Sequence, residues 1–350
     1  LLLGKDIQET LSLLQQAIDE GLIYLSNKHY YFVHDKIQEV IYSIIPAGEA
    51  ELIHYRIGRL VLDKSRGEQL FEKVFYIVNQ FNSGASRITS REEKIKIAGL
   101  NLLAGRKAKS ATAYSEALRY FGAGIGLLAE DSWERDYRLA YDLYFEKAEC
   151  EYLNGNFDGA FTIFDYVIDH ALNVIDRAKV YDKKVIIYTN MGSHRTGMEC
   201  GLEALKLFGI NIPAKPGRAG LVREVLKARF LQGRRSVEDL LNSPEITDPE
   251  VMMIIILCIN TGTAAYFIDN DIVALLAMKM VNHTLRYGNS KHSSVAYISY
   301  ALILGAGLGR YEEAYRFGML AMELNEKYDN ADLKPRILFI FGFLISHWRK

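Results

Sequence analysis

Apolar residues recur at three- and four-residue intervals along almost the whole chain, the spacing that lines one face of an α-helix. Only six prolines interrupt 350 residues, so the pattern predicts an all-α protein. The exception is the start. "LSLLQQAIDEG" places Leu11, Leu14 and Ile18 on one helical face, with Gly21 as the stop. The period then changes. "LIYLSN" and "YYFV" are rich in β-branched and aromatic residues on either side of Asn27 and Lys28, which predicts a short hairpin. Helix plus hairpin reads as the C-terminal part of a winged-helix unit over residues 1–46. From Asp35 to Pro46, Ile37, Val40, Ile41 and Ile44 return to helical spacing. Asp35 is the expected N-cap, with Gln38 three residues on completing a capping-box arrangement, and His34 ends the hairpin. The His34–Asp35 pair is therefore read as a structural joint, since a catalytic pair would need a nucleophile that the sequence does not place.

Further along, a motif of glycine, one residue, an aromatic, then a small residue three positions on repeats itself. It gives Gly155, Phe157 and Ala160, then Gly309, Tyr311 and Ala314. Looser copies start at Gly192 and align Tyr114 with Phe157. Their spacing, a little above the ~34 residues of tetratricopeptide repeats, predicts helix-turn-helix units stacked as a TPR-like solenoid. The repeats are expected over 47–208 and 251–350. Between them, Pro213, Pro216, Pro244 and Pro249 break the rhythm and mark 209–250 as an irregular linker or helix insert.

Composition narrows the function. Forty-two basic against 43 acidic residues leave a formal charge of -1, which gives no global attraction to nucleic acid or an anionic membrane. Three cysteines without CxxC spacing indicate neither a disulfide framework nor a zinc site, and a cytoplasmic setting is expected. The run "VMMIIILCINTGTAAYFI" is broken by Asn260 to Thr263, and "ILFIFGFLISHW" is short, so both read as buried helices rather than membrane spans. There is no initiator Met, and the chain reads as an excised piece.

Motifs that would carry chemistry are incomplete. "GSHRTGME" has the glycine spacing of a phosphate loop but Met198 and Glu199 where lysine and a hydroxyl are required. The Gly122-Gly124-Gly126 and Gly305-Gly307-Gly309 strings lie within helical periodicity and read as close-packing positions. The eight histidines miss the i, i+4 spacing of a helical metal clamp, so no metal ligand, cofactor-binding residue or catalytic residue is assigned. One charge concentration stands out, from Lys215 to Arg235. Arg223, Lys227, Arg234 and Arg235 are its candidate contact residues, while Leu221, Val222, Val225, Leu226 and Phe230 form the expected buried stripe. On the concave face that solenoids commonly use, Tyr152, Tyr188, Asn190 and Tyr300 are the candidate contacts, with inter-repeat packing of Tyr152 and Tyr300 as the competing reading.

Taken together, "FVHDKIQEVIYSIIP", "NLLAGRKAKSATAYSEALRYFGAGIGLL", "AECEYLNGNFDGA" and "MVNHTLRYGNS" resemble the helical region downstream of the AAA-type, STAND-class ATPase module in very large bacterial signalling proteins. In that family a serine/threonine kinase-like domain precedes the ATPase, and a GAF domain with a histidine kinase or another output follows. The resemblance implies a non-catalytic regulatory or sensor arm that binds an inducer or protein partners and contacts the adjacent ATPase and output domains. It implies that ATP and magnesium act upstream of this segment and that the phosphorylated histidine lies downstream. The alternative is a winged-helix and repeat transcriptional regulator contacting DNA, which would have to use the basic segment.

Overall fold

In a computed structural model, the described residues are 6–213 and 215–348. Almost all of the ordered structure is helical. Helix α1 (Ile7–Asp19) is capped by the Asp6 carboxylate and followed by Gly21 at φ +71°, as its sequence predicts. Strands β1 (Ile23–Ser26) and β2 (His29–Phe32) pair antiparallel around Asn27 and Lys28, whose φ values of 51° and 65° fit a two-residue hairpin turn. Helix plus open hairpin makes a winged-helix-like motif, and α2 (Asp35–Ile44) follows it.

The cap of α2 departs from expectation. His34, not Asp35, is the N-cap: its Nδ1 accepts the Lys36 N–H at 3.1 Å, and Asp35 is already in the first helical turn. Both residues can accept a hydrogen bond, and the extended backbone of His34 decides between them. Asp35 still favours the helix through its charge at the positive end of the dipole.

The chain then divides into two units, residues 1–163 and 164–350. In the first lie α3 (Ala47–Lys64), α4 (Gly67–Ser83), α5 (Arg91–Ser110), α6 (Tyr114–Gly126), α7 (Ser132–Arg135) and α8 (Tyr137–Leu153), with α9 (Phe157–His170) crossing the division. Its core joins Val74, Ile77 and Phe81 of α4 to Ile97 of α5, Phe121 of α6 and Leu143 of α8. One polar pair sits in it: Asn82 and Asn101 exchange amide hydrogen bonds of 2.9 and 3.0 Å.

The second unit contains α10 (Val174–Asn190), α11 (His194–Lys206), α12 (Arg218–Gln232), α13 (Pro249–Ala265), α14 (Asn270–Tyr287), α15 (Ser293–Leu302), α16 (Tyr311–Lys327) and α17 (Lys334–Ile340). The apolar run over 251–268 is a buried helix, α13, followed by a turn at 266–268, and the helix runs through Asn260 to Thr263 without a break. Helix α13 continues to Ala265: Asn260 donates to Asp182 of α10 at 2.8 Å instead of to its own backbone, and Thr263 shares the Ile259 carbonyl four residues back without breaking the helix. The final run is not a simple core helix. It is α-helical to Ile340 and continues as a π-helix over Phe341–Ile345, and Phe339 and Phe343 are exposed.

Four helical hairpins share one turn. The residues at its centre, Thr112, Gly155, Gly192 and Gly309, all have positive φ, and the next helix begins two residues on, at Tyr114, Phe157, His194 and Tyr311. In the first three, the N–H before that helix reaches back five residues, Ala113 to Ala108, Asn156 to Glu151 and Ser193 to Tyr188, at 2.8–3.0 Å. Three residues into each second helix a small side chain, Ala117, Ala160, Gly197 or Ala314, is buried. Thr112 is the exception in type, a β-branched residue at φ 60°. Thr112→Gly is expected to raise stability by about 1 kcal/mol, read from the urea midpoint, because glycine carries no penalty there.

Of the glycine strings, Gly124 and Gly305 are true close approaches, toward Leu143 and Trp348 respectively, whereas Gly122, Gly126 and Gly307 have open space where a Cβ would stand.

Candidate interaction surface

Pro216 and Gly217 start α12, and Gly233, at φ +61°, ends it. The helix lies against α14, and its buried face carries Leu221, Glu224, Val225, Ala228 and Leu231, at i, i+3, i+4, i+7 and i+10. This corrects the expected stripe. Val222, Leu226 and Phe230 face outward instead, with 55%, 64% and 85% of their surfaces exposed.

A charged residue selects that face. Glu224 is only 3% exposed and takes Lys279 Nζ at 2.8 Å and Asn282 Nδ2 at 2.7 Å, both from α14. Burial alone would raise the pKa of Glu224, but the hydrogen bond and charge of Lys279 outweigh it, with Asn282 adding to them, and the carboxyl is held below its usual range. Arg229 grips Glu313 of α16 through both guanidinium nitrogens, one of them at 2.6 Å. Arg235 donates to the carbonyls of Leu231 at 2.7 Å and Leu285 at 2.9 Å. Two of the basic side chains are thus spent inside the fold. Lys215, Arg218, Arg223, Lys227 and Arg234 remain exposed.

The result is a helix fixed on one side by ion pairs and presenting on the other a row of three apolar side chains beside exposed cations. An open polar groove of about 690 Å³ lies at its C-terminal end, lined by Gln232, Arg235, Arg310 and Arg316 among others. Its charges are largely satisfied: Arg229 and Arg310 share Glu313, and Arg316 holds Glu238, whose carboxyl its hydrogen bond draws down to about 2. It offers less unspent chemistry than the α12 surface.

The other predicted contacts are not brought together. Tyr152, in the first unit, is half-buried with its ring 5.8 Å from that of Phe157. Tyr188 is half-buried and Asn190 exposed at the end of α10 in the second unit. Tyr300 is fully enclosed, edge-on to Phe317 at 4.9 Å, so its ring serves packing. Arg223, Lys227 and Arg234 are exposed as a contact surface requires, and Arg235 is structural. Sequence reasoning missed Phe230 as a surface residue, and the signal available was the buried-type spacing of Glu224 with Ala228.

Among the described residues no group of three or more His, Cys, Asp or Glu comes together to hold a metal ion. The thiols of Cys150 and Cys258 are pushed up to about 12 and that of Cys200 to about 11 by burial, which removes thiolate reactivity near neutral pH. No helix among the described residues is long and apolar enough to cross a membrane.

No family model matches the chain. It is 24% identical over 361 residues to hybrid signal transduction histidine kinase G of Dictyostelium discoideum, an alignment covering 91% of this chain. The chain spans only about a tenth (10%) of that protein's length. The similarity is distant and partial, and it links this helical protein to signal-transduction systems of the histidine-kinase type.

Proposed function

We propose that the chain is a regulatory and protein-interacting segment of a multidomain, cytoplasmic signal-transduction kinase, without a catalytic centre of its own. The carrying observation is the reach of the similarity: it runs along 91% of this chain yet fills only 10% of the hybrid kinase. In this reading the helical hairpins form a tetratricopeptide-like scaffold joined to the end of a winged-helix unit. ATP and magnesium chemistry, and the phosphorylated histidine, belong to other domains of the same protein. Exposed apolar side chains on the first module, Ile7, Leu11, Tyr24, Val40 and Ile44, suit a surface that a neighbouring element covers.

The α12 face is the proposed contact for a protein partner, an acidic amphipathic helix whose apolar row meets Val222, Leu226 and Phe230 while its carboxylates meet Arg223, Lys227 and Arg234. Binding biases a two-state switch only by the partner's differential affinity for the two states. In the full-length signalling protein, Leu226→Asp with Phe230→Asp is expected to change histidine phosphorylation at least tenfold. The folding stability of the chain should move by no more than about 0.5 kcal/mol, since both side chains already face water. Unchanged phosphorylation would sink the reading. Tight duplex-DNA binding that weakens steeply with salt and is lost on Arg223→Glu with Lys227→Glu would replace it with a DNA-contacting regulator.

A further inference from the structure

A second recess in the 164–350 unit lies away from α12. It is a half-open groove of about 240 Å³ between α13, α14 and α15, reached by Arg336 of α17. Val273, Leu276, Ala277 and Met280 of α14 make one wall and Ile259 of α13 part of the other. Tyr266 and Phe267 stand at it, both well exposed and edge-to-face at 5.4 Å. Phe267 is held in place by the His194 ring, stacked on it at 4.2 Å. Cys258 stays a neutral thiol and contributes only apolar surface.

Within this apolar lining Arg336 is the one cation. It has no hydrogen-bond or ion-pair partner among the described residues. Arg336 is solvent-exposed, and the protein that crowds its guanidinium lowers its pKa. It nevertheless remains cationic at neutral pH. Two hydroxyls also line the groove, Ser299 from α15 and Thr263 from α13, the latter donating to the Ile259 carbonyl.

We propose that this groove binds a compact amphiphilic monoanion, a carboxylate on an aliphatic or arylalkyl body, with the carboxylate on Arg336 and the body along Val273, Leu276 and Met280. The planar guanidinium matches a carboxylate through two parallel N–H bonds. A phosphate dianion would need more than one cation, and the groove supplies one. Its volume lies just below the ~300 Å³ at which drug-sized pockets begin, which selects a small body over a nucleotide or a long lipid chain. This inference does not depend on the signalling reading above, because it rests on the groove alone.

The test is calorimetric titration of sodium octanoate into the protein, beside 1-octanol and inorganic phosphate, for the native chain and for Arg336→Gln and Arg336→Lys. Octanoate should bind, Arg336→Gln should weaken it at least tenfold, and Arg336→Lys should fall between them. Phosphate should neither bind nor compete. Since Arg336 has no hydrogen-bond or ion-pair partner among the described residues, Arg336→Gln should melt close to the native temperature, and a melting curve for each variant separates lost binding from lost folding. The proposal fails if octanoate gives no heat beyond dilution up to millimolar concentration, if Arg336→Gln binds it as the native chain does, or if 1-octanol binds equally well.

Discussion

Gly288→Ala is expected to lower the stability of the chain by about 4 kcal/mol, more than most single substitutions. Gly288 follows α14 at φ +112°, a conformation that a side chain strains. A Cβ there would also stand 2.0 Å from the Pro244 carbonyl oxygen and 2.9 Å from its carbon, both backbone atoms that cannot swing aside. That approach is functional in the fold. Asn289 N–H donates to Pro244 O at 2.7 Å, Ile246 N–H donates to Asn289 O at 2.8 Å, and Asn289 Nδ2 donates to Leu240 O at 2.7 Å. The segment that follows α12 is thus tied to the end of α14 by a patch of backbone pairing. Strain of about 1–3 kcal/mol for the backbone and a similar overpacking cost add to the predicted loss. Gly122→Ala is the matched control: it lies inside α6 with open space at its Cβ, and should gain up to about 1 kcal/mol. Urea unfolding of the two variants separates them, and a loss below about 1 kcal/mol for Gly288→Ala would mean that the segment yields freely.

Local signals explain most of what the sequence disclosed. Gly21 as a helix stop, the Asn27–Lys28 turn and the helix starts after Gly155, Gly192 and Gly309 each depend on one residue's backbone freedom, which is written in its identity. What stayed hidden was set by partners far along the chain. Helix α12 carries apolar residues at 221, 222, 225, 226, 230 and 231, enough for either face to be buried. Lys279 and Asn282, more than 50 residues away, decide the matter by receiving Glu224. The choice between His34 and Asp35 as cap turned on one backbone conformation, which overrode the stronger capping preference of Asp. Arg336 and Ser299 meet at one groove only because α15 and α17 pack beside α13 and α14, and no spacing in the sequence encodes that. Gly201 shows the same limit. It reads as a helix-weakening glycine, yet its missing Cβ is where Thr261 of α13 sits, 2.0 Å from the position that a Cβ would take.

Glu224→Ala should cost about 3–5 kcal/mol, because it leaves the Lys279 ammonium poorly exposed, with its nearest anion removed. The loss does not measure the worth of the ion pair. Glu224→Leu combined with Lys279→Met, which removes both charges and keeps apolar volume, should restore most of the stability, since desolvating the pair offsets much of its attraction. The same pair makes a pH signature. Glu224 has a folded-state pKa below its unfolded value, so its contribution is complete above the ordinary glutamate range near 4.5 and is lost as pH falls through the folded value. The gap in unfolding free energy between the native chain and Glu224→Gln should therefore be widest at neutral pH and narrow only below about 4.5. Chemical denaturation at pH 7, 5 and 3.5 would show it. A gap that stays constant across those values would mean that Glu224 gains nothing from ionisation in the fold, and the α12 surface would then be held by Arg229 and Arg235 alone. Because Val222, Leu226 and Phe230 face outward only while Glu224 faces inward, the double apolar variant should also keep partner binding, whereas Glu224→Ala should weaken it by loosening α12.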